Sequence, residues 1–138
     1  MLRVAFASDD RATVNQHFGA ALGFAIYAVD HDQAQLVELV EFAAEDMDGN
    51  ENKLPARIAA LAGCAAVYCL AVGASAVRQL LAAGVQPLRL EQATEIDPLL
   101  ARIRLALQEG GVAWIDKHIK QSRNEERFSR MAEENWEE

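Results

Sequence analysis

The chain has 138 residues, 51% hydrophobic and 25% charged, with 13 Lys and Arg against 21 Asp and Glu for a formal net charge of −8. That length suits one domain with a real core, and the composition is that of an ordinary soluble globular protein. The acidic balance argues against a nucleic-acid partner and against docking on an anionic membrane, and leaves protein partners and metal species open.

Leu2–Ala7 is an apolar run of strand length, expected to be buried and central. It starts directly after Met1, with no basic start or cleavage site of a secretory signal. Ser8–Gln16 is polar and reads as a loop, and Gly19–Gly23 as one helical turn. Phe24–Val29 and Gln35–Phe42 read as strands. The short polar break Asp30–Gln33, which holds His31, joins them as an antiparallel hairpin. Ala43–Asn52 is acidic and reads as a loop. Lys53–Leu61 repeats Leu54, Ile58 and Leu61 at helical spacing, with Pro55 in the first turn. Ala65–Val72 is continuously apolar, so it is expected to be a strand buried on both faces. A helix follows Gly73, with Val77, Leu80 and Leu81 expected to face the sheet. The most apolar window, about Ala65–Val85, is interrupted by Gly73, Arg78, Gln79 and Gly84, so it reads as strand plus helix rather than a membrane span. Val85–Leu90 is a short strand that Pro87 confines to an edge or a strand start. Thr94–Leu107 carries an amphipathic helix pattern with Thr94 as the expected cap.

Gly110-Gly111 is the clearest break. Residues 1–109 read as one domain and 110–138 as a charged tail, partly helical or flexible. In that tail His118, Arg123, Arg127 and Arg130 alternate with acids, and Phe128, Met131 and Trp136 are interspersed. It reads as a solvated helix or as a docking segment. The succession β-β-β-α-β-α-β-α predicts a mixed five-stranded sheet with helices on both faces, that of a ribonuclease H-like three-layer α/β/α domain.

Several groups bear chemistry. His17 follows the polar loop and is flanked by an apolar anchor, Phe18, and an unencumbered Gly19. An imidazole there suits metal ligation; a loop histidine without a role is the plainer reading. Cys64 and Cys69 are five apart, not the spacing of a zinc or redox pair, and two cysteines make no disulfide framework. A cytoplasmic, reducing location is therefore the default. Cys69 reads as a small core hydrophobe, and a soft thiolate ligand is the sharper alternative. Asp9 and Asp10 follow the first strand rather than lying in it, and Glu38 and Glu41 point to opposite faces, a poor arrangement for two-metal hydrolysis. Val72–Ser75 lies at a strand-to-helix turn that reads either as a tight turn capped by Ser75 or as an anion-binding helix start.

Taken together, RVAFASDD (Arg3–Asp10), VNQHFG (Val14–Gly19), FAIYAVD (Phe24–Asp30) and VYCLAVGASAVRQLLAAGVQPL (Val67–Leu88) resemble the nitrogenase iron–molybdenum cofactor biosynthesis family. This is the type of NifX, NafY and the NifB C-terminal domain, and the ending RFSRMAEENWEE is similar to the NifX branch. The resemblance implies a non-enzymatic carrier that binds an iron–sulfur precursor of the cofactor as transient cargo. It also implies transfer between NifB and NifEN-type assembly proteins. It carries metal ligation to His17, with Asn15, Phe18, Gly19 and the Gly73-Ala74-Ser75 turn around the cargo, and nothing firm to Cys64 or Cys69. Two other classes stay open: a metal-free interaction or regulatory protein, and a metal-dependent hydrolase using Asp9 and Asp10.

Overall fold

The computed structural model describes residues 1–42, 54–121 and 123–124. Strand β1 (Leu2–Ala7) is central because almost every residue in it is apolar and can be buried on both faces. It pairs antiparallel with β3 (Gly23–Val29), which pairs antiparallel with β4 (Ala34–Glu41). On its other side β1 runs parallel to β5 (Ala66–Cys69), and β5 parallel to β6 (Gln86–Arg89). The order β4-β3-β1-β5-β6 is the mixed five-stranded sheet that the strand pattern predicts. Pro87 sits in β6, at the edge, where a missing donor costs no ladder bond.

Helices α1 (Leu54–Ala60) and α2 (Ala74–Ala82) share one core with Ala5, Phe18, Phe24, Ile26, Val67 and Cys69. Helix α3 (Ile96–Glu109) packs Ile96, Leu99, Leu100 and Ile103 on the other face, against Val4, Phe6 and Ala25. A further helix, α4 (113–121), buries Ile115 in that second core, with Trp114 and Ile119 packed against it. No helix among the described residues is long and apolar enough to cross a membrane.

Four details differ from the reading of the sequence. β5 is shorter than the Ala65–Val72 run, because the peptides of Leu70 and Ala71 turn away from the sheet to bond the loop before β3. Leu81, expected to face the sheet, is exposed; α2 buries Leu80 as expected, and Ala76. Thr94 does not cap α3: with Glu95 it forms strand β7, paired antiparallel with β2 (Thr13–Val14). Its hydroxyl donates to the carbonyl of Gln92, and Glu95 holds the cap position without a side-chain bond. The helical turn expected at Gly19–Gly23 is a 3₁₀ turn one residue earlier, Phe18–Ala20. The expected loop Ala43–Asn52 lies outside the described residues, as do Arg127, Phe128, Arg130, Met131 and Trp136 of the tail.

Candidate functional site

The polar stretch after β1 makes a loop because its side chains bond its own backbone. Asp10 Oδ1 accepts the N–H groups of Ala12 and Thr13 at 2.9 and 2.8 Å and the Ser8 hydroxyl at 3.0 Å. Those bonds, the Ala12 N–H foremost, hold the Asp10 carboxyl below its ordinary pKa. Ser8 Oγ in turn accepts the N–H of Arg11, which sits at φ +66°. Asn15 Nδ2 donates to Asp9 Oδ1 at 2.7 Å and its Oδ1 accepts the Asp9 N–H at 3.2 Å. Both carboxylates are thus committed to the turn, and so is the Asn15 side chain. Glu38 and Glu41 are spent in exposed ion pairs with Arg3 and Arg11, each at 3.2 Å.

Beyond Asn15 the loop is stitched to the C-terminal end of β5. The N–H of Leu70 donates to the Gln16 carbonyl at 3.0 Å, and the N–H of Phe18 donates to the Ala71 carbonyl at 2.7 Å. The two bonds bracket His17. Its backbone is extended at the head of the 3₁₀ turn, and its side chain is exposed. The imidazole makes no hydrogen bond or ion pair with any described residue. Gly73 stands two residues beyond Ala71, so the HFG loop and the Gly73–Ser75 turn meet at one end of the sheet.

Phe18, expected among the contacting residues, is wholly buried and anchors the turn from beneath. Its ring lies 5.6 Å from that of Phe24, which meets Phe42 edge-on at 5.8 Å. The guanidinium of Arg57 covers the Phe42 ring at 4.5 Å. Arg57 is only 1% exposed, and its Nη2 donates to the Ala21 carbonyl at 3.0 Å. Ala21 closes the 3₁₀ turn through its N–H to Phe18. A buried cation on α1 therefore fixes the turn that presents His17. Sequence reading passed over Arg57, though the signal was present: it falls three residues after Leu54 and four before Leu61, on the apolar stripe of α1.

The glycines separate into two groups. Gly63, Gly84, Gly110 and Gly111 have positive φ, and a Cβ on Gly23 would lie 2.5 Å from the Val40 carbonyl oxygen. Gly19 and Gly73 have neither constraint: a Cβ on either would meet nothing within 4 Å. Gly73 is the N-cap of α2 with no side-chain cap bond, so Ser75 is not the cap; its Oγ accepts from Gln79 Nε2 at 3.1 Å. The first turn of α2 leaves backbone N–H groups open there. The only two described glycines that folding does not explain lie at this end of the sheet, Gly19 two residues after His17 and Gly73 two residues after Ala71, which the Phe18 N–H bonds.

Cys64 and Cys69 are free and buried, and burial pushes each thiol up to about 11, which keeps both neutral near pH 7. Among the described residues the one group of three metal-capable side chains is Asp30, His31 and Asp32, with ligand atoms within 4.8 Å of one another. It lies on the β3–β4 turn, at the opposite end of the sheet from His17. Asp30 Oδ1 there accepts the N–H groups of Asp32 and Gln33, as in an ordinary turn.

The match to known proteins covers most of the chain. The family model described as dinitrogenase iron-molybdenum cofactor matches residues 1–105. Protein NifX of Azotobacter vinelandii is 49% identical, with 100% of this chain and 89% of the relative covered. Protein NifX of Klebsiella pneumoniae is 38% identical over 96% of this chain and 82% of the relative. Among solved structures, the apo orange protein of Desulfovibrio gigas shares the fold at a TM-score of 0.51 and 23% identity, covering 80% of this chain and 89% of that one. An NMR structure of a NifB-type protein from Thermotoga matches at a TM-score of 0.50 and 28% identity, over 80% and 90%. With the family model matched from Met1 through Leu105 and NifX relatives aligned over nearly the whole chain, this protein belongs to the dinitrogenase iron–molybdenum cofactor family, on the NifX side, and has a role in nitrogenase cofactor biosynthesis.

Proposed function

We propose that the chain is a non-enzymatic carrier that binds an iron–sulfur precursor of the iron–molybdenum cofactor. It passes this cargo from a NifB-type source to a NifEN-type scaffold. The observation that carries the reading is His17: an exposed imidazole with no described partner, on a loop bonded on both sides of it to Leu70 and Ala71 just past β5, with Gly19 and Gly73 at the same end of the sheet leaving open space. His17 is the metal ligand, and Gly19, Gly73, Ala74 and Ser75 give the cargo close backbone approach, with the first turn of α2 favouring negative charge. Phe18 and Asn15 serve by holding the loop. A single imidazole suits a cargo that must be released, and Cys64 and Cys69, buried in the core shared with α1 and α2, are closed to it.

The sheet order is read as ribonuclease H-like, without the nuclease chemistry, because Asp9 and Asp10 are consumed in the turn. Residues 1–109 are taken as the carrier domain, and the charged segment after it begins with α4, which docks on the second core through Ile115. Anaerobic titration with the isolated precursor cluster tests the reading by comparing wild type, His17→Ala and Cys69→Ser. The expected result is stoichiometric visible absorption that weakens in His17→Ala and persists in Cys69→Ser. Unchanged affinity in His17→Ala removes that residue from the site. A colourless protein that binds the assembly scaffold equally well with and without cluster favours a metal-free interaction role.

A further inference from the structure

Resting on that reading of His17, we propose that Arg89 is a second cargo-contacting residue, and that the site is built for an anionic ligand such as a sulfide-rich cluster face or a carboxylate. Arg89 closes β6, opposite Cys69 in the register with β5, and the N–H of Leu90 donates to the Cys69 carbonyl at 2.8 Å. The side chain thus leaves the sheet at the end where β5 meets the HFG loop. Its Nε donates to the Leu70 carbonyl at 3.3 Å. The N–H of that same Leu70 donates to Gln16, the residue before His17. One residue therefore ties the guanidinium and the imidazole to the same point of the scaffold.

The Nε bond orients the guanidinium and leaves its two terminal nitrogens without a hydrogen bond or ion pair among the described residues. Arg3 and Arg11, by contrast, are each matched to a glutamate of β4. In a chain of net charge −8, an anionic cargo is repelled at long range and needs a local cation to seat it. A planar guanidinium with two open donors takes a carboxylate or a pair of anionic atoms in a way an ammonium does not.

The test is anaerobic titration of the full chain with a synthetic four-iron, four-sulfur cluster bearing exchangeable thiolate ligands, an anionic probe, at low and high salt. Arg89→Gln is expected to weaken binding by about tenfold at low salt. That gap should close at high salt, where the charge is screened. Arg89→Lys should fall between the two, and both variants should melt with the wild type. Wild-type affinity in Arg89→Gln at low salt, alongside weakened binding in His17→Ala, overturns the proposal and spares the site. A loss equal at both salts, with shifted Leu70 and Phe18 amide resonances, also overturns it, because Arg89 then acts only on the loop. Unchanged binding in His17→Ala brings down the parent reading, whatever Arg89 does.

Discussion

Three glycine substitutions separate what folding requires from what a ligand requires. Gly19 and Gly73 have ordinary φ and room for a Cβ, whereas a Cβ at Gly23 meets the Val40 carbonyl oxygen at 2.5 Å. Gly19→Ala removes conformers from the unfolded chain and clashes with nothing, so it should stabilise by about 0.4–1 kcal/mol. Gly73→Ser supplies the missing helix cap and should be neutral or stabilising by a few tenths of a kcal/mol, on the order of the Ser–Gly difference at N-caps. Gly23→Ala must move backbone and should cost about 1–3 kcal/mol. Urea denaturation reads all three. Binding should run the other way. A methyl or hydroxymethyl projecting into the ligand's space is an overpacking cost of about 1–3 kcal/mol, roughly five- to hundredfold in cluster affinity. Gly23→Ala should bind nearly normally once folded. If Gly19→Ala and Gly73→Ser are both at least as stable as wild type and bind the cluster equally well, these glycines face only solvent and the close-approach argument fails.

Arg57→Ala strips the buried bond to Ala21 and the cover over Phe42, and should destabilise by about 2–5 kcal/mol, the cost of emptying a large buried site and leaving a buried carbonyl unsatisfied. Arg57→Met, which keeps most of the volume and removes the charge, should cost less; equal losses in calorimetry would show that the guanidinium's bond and charge, and not its packing, hold the turn. Cys64 and Cys69 should resist alkylation at pH 8 in the native protein and react on unfolding. Because each thiol is raised to about 11 in the fold, their stabilising contribution is complete below the ordinary thiol pKa of about 9 and falls away as pH rises from there toward 11. Rapid native labelling would contradict the buried assignment.

The sheet was readable because its signal is local. Leu2–Ala7 and Phe24–Val29 are runs with no competing interpretation, and the short break Asp30–Gln33 admits little besides a hairpin. What escaped depends on partners far along the chain. Thr13–Val14 looks like loop and Thr94–Glu95 like a helix start, and only their pairing makes either a strand. The length of β5 was misjudged for the same reason: Leu70 and Ala71 are as apolar as the strand, but their peptides bond Gln16 and Phe18. At the site, the proposal for His17 comes from motif and position, while the fixed presentation of its loop depends on Arg57, whose place on the apolar stripe of α1 signals burial but not its distant partners Ala21 and Phe42.

The double stitching of the loop has an entropic consequence. Ordering a residue costs about 1–2 kcal/mol, and for Asn15 through Phe18 that cost falls on folding, through backbone bonds to Ala7, Leu70 and Ala71. On the carrier reading, cargo arriving at His17 meets a loop that is already ordered. On the same reading, the loop itself need not reorder for the cargo to leave, so the direct contacts set how long it stays.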